Sequence, residues 1–257
     1  MIPDHHRPVP ELFVSPEAIR ALQEDAARLR AWTLEAGQAG ELALLLTGGC
    51  APLRGYMTQA QHDDILGGAV PPWPAPLALT VDEAFGQDIA PGQDIALCDR
   101  EKRVLAVMSV TDRWGCGPVR LGGRVKGLRR PDHPGPNAMR ALWRDRGAAR
   151  VLAVVLAVQP QDGAAIRAAA GLARGLDAAL LIQPAPGVQV DPPEGAVVAP
   201  LPVSPPEGPH RLVWQGAVAR NFGATHLLVA EGGAARDLLD RHRAVIGVQP
   251  VLPGAGA

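Results

Sequence analysis

The chain has 257 residues, of which 47% are hydrophobic, and its 25 basic and 26 acidic side chains leave a formal net charge of -1. That length accommodates two domains, and that apolar fraction excludes global disorder. The near-zero charge excludes a globally basic nucleic-acid binder, and the 29 glycines and 26 prolines lack the period of collagen.

Cys50, Cys98 and Cys116 form no CxxC pair and are odd in number. This argues against a secreted disulfide framework and for a reduced, cytoplasmic setting. The opening MIPDHHRPVPELF lacks the basic-then-apolar pattern of a signal peptide. The longest apolar run, Val151 to Val158, is too short to span a bilayer, so no membrane partner is expected.

Residues 1–16 are proline-rich and read as extended chain. Ser15, Pro16 and Glu17 form a helix start: N-cap, proline in the first turn, then an acid. Ile19, Leu22, Ala26 and Leu29 then share one face of a helix expected over Glu17 to Thr33. Gly37 and Gly40 should close that region, leaving Leu42 to Leu46 as a helix turn or a short strand. GGCAPLRGYM, residues 48–57, reads as a turn, and Thr58 caps a short helix reaching Ile65. From Pro71 to Val125 short strand-like runs follow: Leu77 to Val81, Asp94 to Cys98 and Val104 to Val110. They describe a small barrel or curved sheet. RRPDHPGPN, residues 129–137, reads as a linker.

Beyond the linker, strands alternate with helices. Helices are expected over Ala138 to Arg146, Ala164 to Gly175, His210 to Asn221 and Ala235 to His242. Strands are expected over Val151 to Val158, Ala178 to Ile182, Gly195 to Leu201, Thr225 to Ala230 and Ala244 to Val248. Five strands in this alternation predict an open parallel sheet covered on both faces.

No phosphate-binding glycine motif is present, because neither GxxxxGK[ST] nor a GxGxxG after a strand occurs. His5, His6, His62 and His133 lack metal-ligand spacing, so no structural metal is expected. Arg120, Arg124, Lys126, Arg129 and Arg130 form a basic cluster without interleaved aromatics. It reads as a solvated loop or a subunit contact, and no nucleic-acid partner is expected. Arg54 and Tyr56 read as parts of a packing turn, and Cys116 as a tight-turn residue. His210 and Arg211 start a helix after Gly208-Pro209, and a helix N-terminus attracts anions.

Two stretches, GGCAPLRGYM at residues 48–57 and ARNFGATHLLV at residues 219–229, resemble ATP sulfurylase (sulfate adenylyltransferase). In the first, Gly49, Pro52, Leu53, Gly55 and Met57 match that family's GxFxPLxGFM, with Tyr56 for Phe. Trp73-Pro74 and Pro76 follow where the family has WPxP. In the second, Arg220 to His226 and Val229 keep the frame of RKNYGATHFIVGRDHAG, and Gly208-Pro209 resembles the start of GPRE. The resemblance implies a PUA-like β-barrel domain over residues 1–132. A Rossmann-like parallel-sheet nucleotidyltransferase domain would follow over residues 133–257, giving an α+β and an α/β half. The family's catalytic domain continues beyond such a final strand, so the resemblance also implies a missing C-terminal lobe.

The family's catalytic motifs are altered. Where it carries QxRN and then HxxH, Gln159 keeps the first position, but Gln161 falls at Arg, Asp162 at Asn, and Ala165 and Ala168 at the histidines. GRDHAG is replaced by Ala230, Glu231, Gly232, Gly233, Ala234 and Ala235. Joining ATP to sulfate brings two anions together, and cationic side chains must offset that charge. Gln in place of Arg still donates a hydrogen bond but carries no charge, and an Asp repels phosphate. The resemblance therefore implies a degenerate module of sulfate activation, serving as homo-oligomer or as partner of an adenylylsulfate kinase. Two alternatives stand beside it. One is a working sulfate adenylyltransferase, or a related nucleotidyltransferase, using Gln159, His210, Arg211, Asn221 and His226 with ATP and Mg. The other is a non-catalytic small-molecule binder whose ATP affinity is weaker than about 1 mM.

Overall fold

A computed structural model describes residues 3–157, 163–230 and 232–253. The chain forms two compact units. The first comprises Pro10–Ala69 and Pro76–Asp132, and the second Met1–Val9, Val70–Ala75 and His133–Ala257.

The first unit contains, in chain order, α1 (Pro16–Ala26), β1 (Arg30–Thr33), α2 (Ala36–Leu46), β2 (Gly55–Tyr56) and α3 (Gln59–Leu66). β3 (Leu79–Val81), α4 (Glu83–Gln87), β4 (Asp94–Cys98), β5 (Val104–Trp114) and β6 (Val119–Gly127) follow. Six strands form one sheet in the order β1-β4-β5-β6-β2, with β3 also paired to β6. Only β1 and β4 run parallel.

Several local expectations are corrected. The helix over Glu17 to Thr33 stops at Ala26, and Arg30–Thr33 becomes strand β1 on β4. Pairing along a sheet edge outweighs the helical period there. Gly37 and Gly40 do not end a helix; both lie inside α2, which runs through Leu46. Ser15 stands at the N-cap of α1, but its side chain makes no capping bond. Thr58 does cap α3, with Oγ1 accepting from the Gln61 amide.

The stretch read as a basic cluster contains strand β6. Its alternation turns Val119, Leu121 and Val125 inward and leaves Arg124 and Lys126 exposed. The glycines of this region serve close approach of backbones. A Cβ on Gly55 would lie 2.0 Å from the Gly123 carbonyl oxygen, and one on Gly122 2.1 Å from that of Met57. Strands β2 and β6 can cross at that spacing only without side chains.

The second unit opens with a 3-10 turn at Asp4–His6 and continues after His133 with α5 (Pro136–Asp145), β7 (Val151–Leu156), α6 (Ala164–Gly175), β8 (Ala179–Pro184) and β9 (Val197–Val198). α7 (Arg211–Asn221), β10 (His226–Leu228), α8 (Ala234–Ile246) and β11 (Gln249–Val251) complete it. The five strands are all parallel, in the order β11-β10-β7-β8-β9. Numbered by appearance this is the 3-2-1-4-5 order of a doubly wound, Rossmann-like sheet. The final strand is displaced from the expected Ala244 to Val248, because α8 continues to Ile246 and ends on Gly247 at φ +73°.

Leu152, Val154, Leu156, Leu180 and Ile182 pack with Ile166, Ala169 and Ala173 of α6 on one face of this sheet. Right-handed crossovers put α7 and α8 on the other face, since β9 to β10 to β11 steps across the sheet in the opposite direction to β7 to β8. α7 is correspondingly buried from Leu212 to Ala219. No helix among the described residues is long and apolar enough to cross a membrane.

Candidate functional site

In a doubly wound sheet, ligands lie beyond the C-terminal ends of the strands, where the strand order reverses. Here that crest lies beyond Leu156 of β7, Pro184 of β8 and Leu228 of β10. The described residues of its loops are Gly163, 183–187, 202–209 and 232–235. They contribute no Lys or Arg. Cations enter instead from the first turn or so of each helix: Arg167 on α6, Arg211 on α7 and Arg236 on α8. A Cβ on Gly163 would lie 3.3 Å from Arg167 Nη1, so that guanidinium folds back over the start of its own helix. Arg236 Nε donates to Asp240 Oδ2 at 3.0 Å, which ties it along α8.

The expected site residues separate along the sheet axis. His210 stands at the N-cap of α7 and Arg211 opens that helix, both at the crest. Asn221 closes the same helix, and His226 opens β10. An 11-residue helix is ~16 Å long, so Asn221 and His226 sit at the far edge of the sheet. Gln159 lies outside the described residues.

The far edge is densely hydrogen-bonded. Arg140 is 4% exposed and spends its guanidinium on backbone carbonyls. Its Nε donates to Asn221 O at 2.6 Å, its Nη1 to Asp4 O and Arg7 O at 2.7 Å each, and its Nη2 to Arg220 O at 2.7 Å. Burial pulls the Arg140 pKa down to about 10, which leaves it charged at neutral pH. Trp143 Nε1 donates to Phe222 O at 2.9 Å. His5 and His6, read from the sequence as extended chain, instead lie in a 3-10 turn and direct Nε2 at the Ala148 carbonyl at 3.1 and 3.0 Å. His226 Nδ1 lies 2.8 Å from Thr225 Oγ1, and burial, then the Arg150 charge, lowers its pKa. It is a neutral ring in a hydrogen-bonded corner.

Among the described residues of the crest, one amide has neither of its polar atoms matched. Gln183, the fifth residue of β8, has 0% of its surface exposed. Neither its Nε2 nor its Oε1 meets a hydrogen-bonding atom. The sequence does not single it out. The available signal was a lone amide inside the apolar run ALLIQP.

The first unit holds a second cluster that the sequence did not reveal. Glu41 on α2, Cys50 in the following loop and Tyr56 on β2 lie close enough to influence one another electrostatically. Burial raises the Glu41 pKa to about 7 and pushes the Cys50 thiol and Tyr56 phenol well above their ordinary ranges. Tyr56 Oη is buried without a hydrogen-bond partner. Arg54, two residues earlier, is exposed. A shallow hollow of ≈360 Å³ elsewhere on this unit is walled by Trp32, Phe85 and the Arg30–Asp88 ion pair. Cys116 is exposed, whereas Cys50 and Cys98 are buried, and all three are free thiols. Among the described residues no group of three or more His, Cys, Asp or Glu could hold a metal ion.

Comparison with known proteins agrees with this architecture. Residues 2–143 match the family described as PUA-like domain. Sulfate adenylyltransferase from Symbiobacterium thermophilum is 33% identical over 118 residues, covering 44% of this chain and 30% of that protein. Sulfate adenylyltransferase from Eremothecium gossypii is 25% identical over 272 residues, covering 83% of this chain and 54% of that protein. A solved structure described as hexameric APS kinase from Thiobacillus denitrificans superposes with a TM-score of 0.83 at 30% identity, covering 95% of this chain and 55% of that one. The chain thus resembles sulfate adenylyltransferases along most of its length and spans at most about half of these relatives.

Proposed function

The chain belongs to the PUA-like domain family, and on that premise we propose that it is a catalytically degenerate module of sulfate activation, acting as a structural or regulatory partner of an adenylylsulfate kinase or of further copies of itself. The similarity to sulfate adenylyltransferases and to a hexameric APS kinase supports the link to sulfate activation and to assembly. The observation that carries the degenerate reading is the chemistry of the crest: its described loops supply Gly, Pro, Ala, Val, Ser, Gln and Glu, and no Lys or Arg. One preorganised donor is worth about 10²–10³ in rate, so loops without cations forfeit most of the stabilisation that adenylyl transfer needs. The residues present offer an ATP–Mg complex a helix N-terminus and a few arginines, but no acidic cluster among the described residues to hold the cation.

A second reading, a working sulfate adenylyltransferase or related nucleotidyltransferase, is favoured by Arg167, Arg211 and Arg236 at the starts of three helices that face the crest. Within it Gln159, His210 and Arg211 would hold phosphate, while Asn221 and His226 would support the fold from the far edge. Two measurements separate the readings. Pyrophosphate release is followed with ATP plus sulfate, and with molybdate in place of sulfate. Association with an adenylylsulfate kinase is followed by light scattering after size exclusion. The module reading expects no turnover together with either a defined complex or a defined homo-oligomer. Sulfate-dependent turnover would overturn it, and so would a strictly monomeric protein that ignores the kinase.

A further inference from the structure

The sheet of the first unit ends on β1, which pairs with β4 alone. The two strands run parallel, and the amide that follows β1, Leu34 N, donates to Cys98 O at 2.8 Å. A strand turns the backbone of alternate residues to opposite sides, so Arg30, Trp32 and Leu34 face β4 with N–H and C=O. Ala31 and Thr33 turn theirs outward. Among the described residues no donor or acceptor meets those outward backbone groups. β3 is treated differently: Gln38 Nε2 donates to Thr80 O at 2.6 Å, and Gln38 Oε1 accepts from Trp32 Nε1 at 3.2 Å.

Beside this edge lies the hollow of ≈360 Å³. Arg30 and Trp32 stand in register with Ile95 and Leu97, both 0% exposed, so their side chains share the inner face of the sheet. On that face the Trp32 ring meets Phe85 of α4 with centroids 5.0 Å apart. The Arg30 guanidinium lies 5.9 Å from the Phe85 centroid, and its Nη2 bonds to Asp88 Oδ2 at 2.7 Å. A cation over an aromatic ring, held by a carboxylate, is thus a chemistry the hollow already accommodates. Asp82 and Glu83 add exposed carboxylates at the start of α4, and Glu35 and Asp94 add them at the two ends of the edge. Against them stand Arg28, Arg30 and Lys102. Arg30 is taken by Asp88, and Lys102 donates to Thr33 Oγ1 at 2.6 Å. The rim of the edge is therefore acidic.

An edge strand invites pairing, and sheets blunt it with proline, a bulge or a lysine. β1 is short and Lys102 blunts its Thr33 end, but it carries no proline and its register with β4 is unbroken. Ala31, small and exposed, leaves its own N–H and C=O open. We propose that the free edge of β1 takes up an extended basic segment of a partner protein as an added strand, with one Lys or Arg side chain entering the hollow beside Asp82, Trp32 and Phe85. Main-chain bonds to Ala31 and Thr33 give the affinity, and the hollow with its acidic rim selects the sequence. This surface belongs to the first unit and is independent of whether the second unit turns over substrate.

The test titrates the full chain, followed by amide NMR, with two blocked peptides, one alternating valine with arginine and one alternating valine with glutamate. The arginine peptide should bind, and the glutamate peptide should bind at least about 10-fold more weakly, since like charges meet at the rim. On binding, the Ala31 and Thr33 amides should gain protection from exchange, whereas the Trp32 amide, already bonded to β4, should change little. That readout does not depend on a variant folding. Ala31→Pro removes an outward donor and spares the β4 ladder, as proline on an edge strand can. It should weaken the arginine peptide about 10-fold or more, through the lost bond and the ring in its path. Asp82→Asn keeps a side-chain oxygen for the Phe85 amide and should narrow the preference between the peptides. Binding of neither peptide, equal binding of both, or Ala31 and Thr33 amides that ignore the bound peptide would overturn the assignment. So would a homodimer that Ala31→Pro dissolves in light scattering, because a second copy would then be the occupant of the edge.

Discussion

The two ends of α7 follow opposite rules. At the C-terminal end the last carbonyls are claimed by side chains: Arg220 O, which also accepts from the Gly223 amide, and Asn221 O by Arg140, and Phe222 O by Trp143. At the N-terminal end lies the crest, where Gln183 is buried with both polar atoms unmatched. One end is closed by the protein's own side chains. At the other, among the described residues, the Gln183 amide is left without a partner. The difference shows that residues drawn together by a shared motif need not share a task. Asn221 and His226 belong to the closed end, and His210 and Arg211 to the open one.

The hardest blow to the closed end is Arg140→Met. It removes four hydrogen bonds and leaves the Asp4, Arg7, Arg220 and Asn221 carbonyls without that donor. A loss of about 4 kcal/mol is expected, since bonds to a charged group are worth about 1.5–3 kcal/mol each and do not add fully. Urea unfolding gives the magnitude, and amide exchange should show protection falling first in α5 and α7. If exchange there is unchanged, the closed end is not the anchor it is taken to be.

Next in size is Glu41→Gln in the first unit, which asks what a half-buried carboxyl costs. Burial raises the Glu41 carboxyl from 4.5 to about 7. Its folded form therefore holds a proton that the unfolded form has released between those values. Stability from this group is fully present below pH 4.5 and is lost as pH rises to 7, by about 3 kcal/mol at most. The Gln variant should flatten that slope in a series of melting temperatures from pH 4.5 to 8, and should be the more stable protein at pH 8. An unchanged slope would mean that the carboxyl finds water or a partner.

The smallest of the three is Gly223→Ala, just past α7. Gly223 has φ +88°, and an added Cβ would lie 2.7 Å from Trp143 Cδ1 and 2.9 Å from the His5 carbonyl oxygen. A cost of about 2 kcal/mol is expected from the left-handed backbone and the crowding together. Urea unfolding measures it, and an unchanged midpoint would mean that the far edge absorbs the added methyl without strain.

Sequence by itself determined the order of the elements in the second unit. Val151 to Leu156 is a continuous apolar run, as a strand covered on both faces requires, and the helix Ala164–Gly175 repeats its burial about every 3.6 residues. It also determined the parallel sheet, since short alternating strands and helices close only as right-handed crossovers. Tertiary structure decided what no local period encodes. Arg30–Thr33 is a strand because β4 offers it an edge, and Val119–Gly127 is a strand because Gly55 and Gly122 let backbones touch. His5, His6 and Asp4 are tied to α5 and Ala148 across more than 130 residues of chain, a distance at which spacing carries no signal. The same holds at the candidate site. The sequence shows which cations are missing from its motifs, but whether a given amide is paired depends on every neighbour that could pair it. Only the packed structure shows that Asn221 lies among hydrogen-bonded groups and that Gln183 does not.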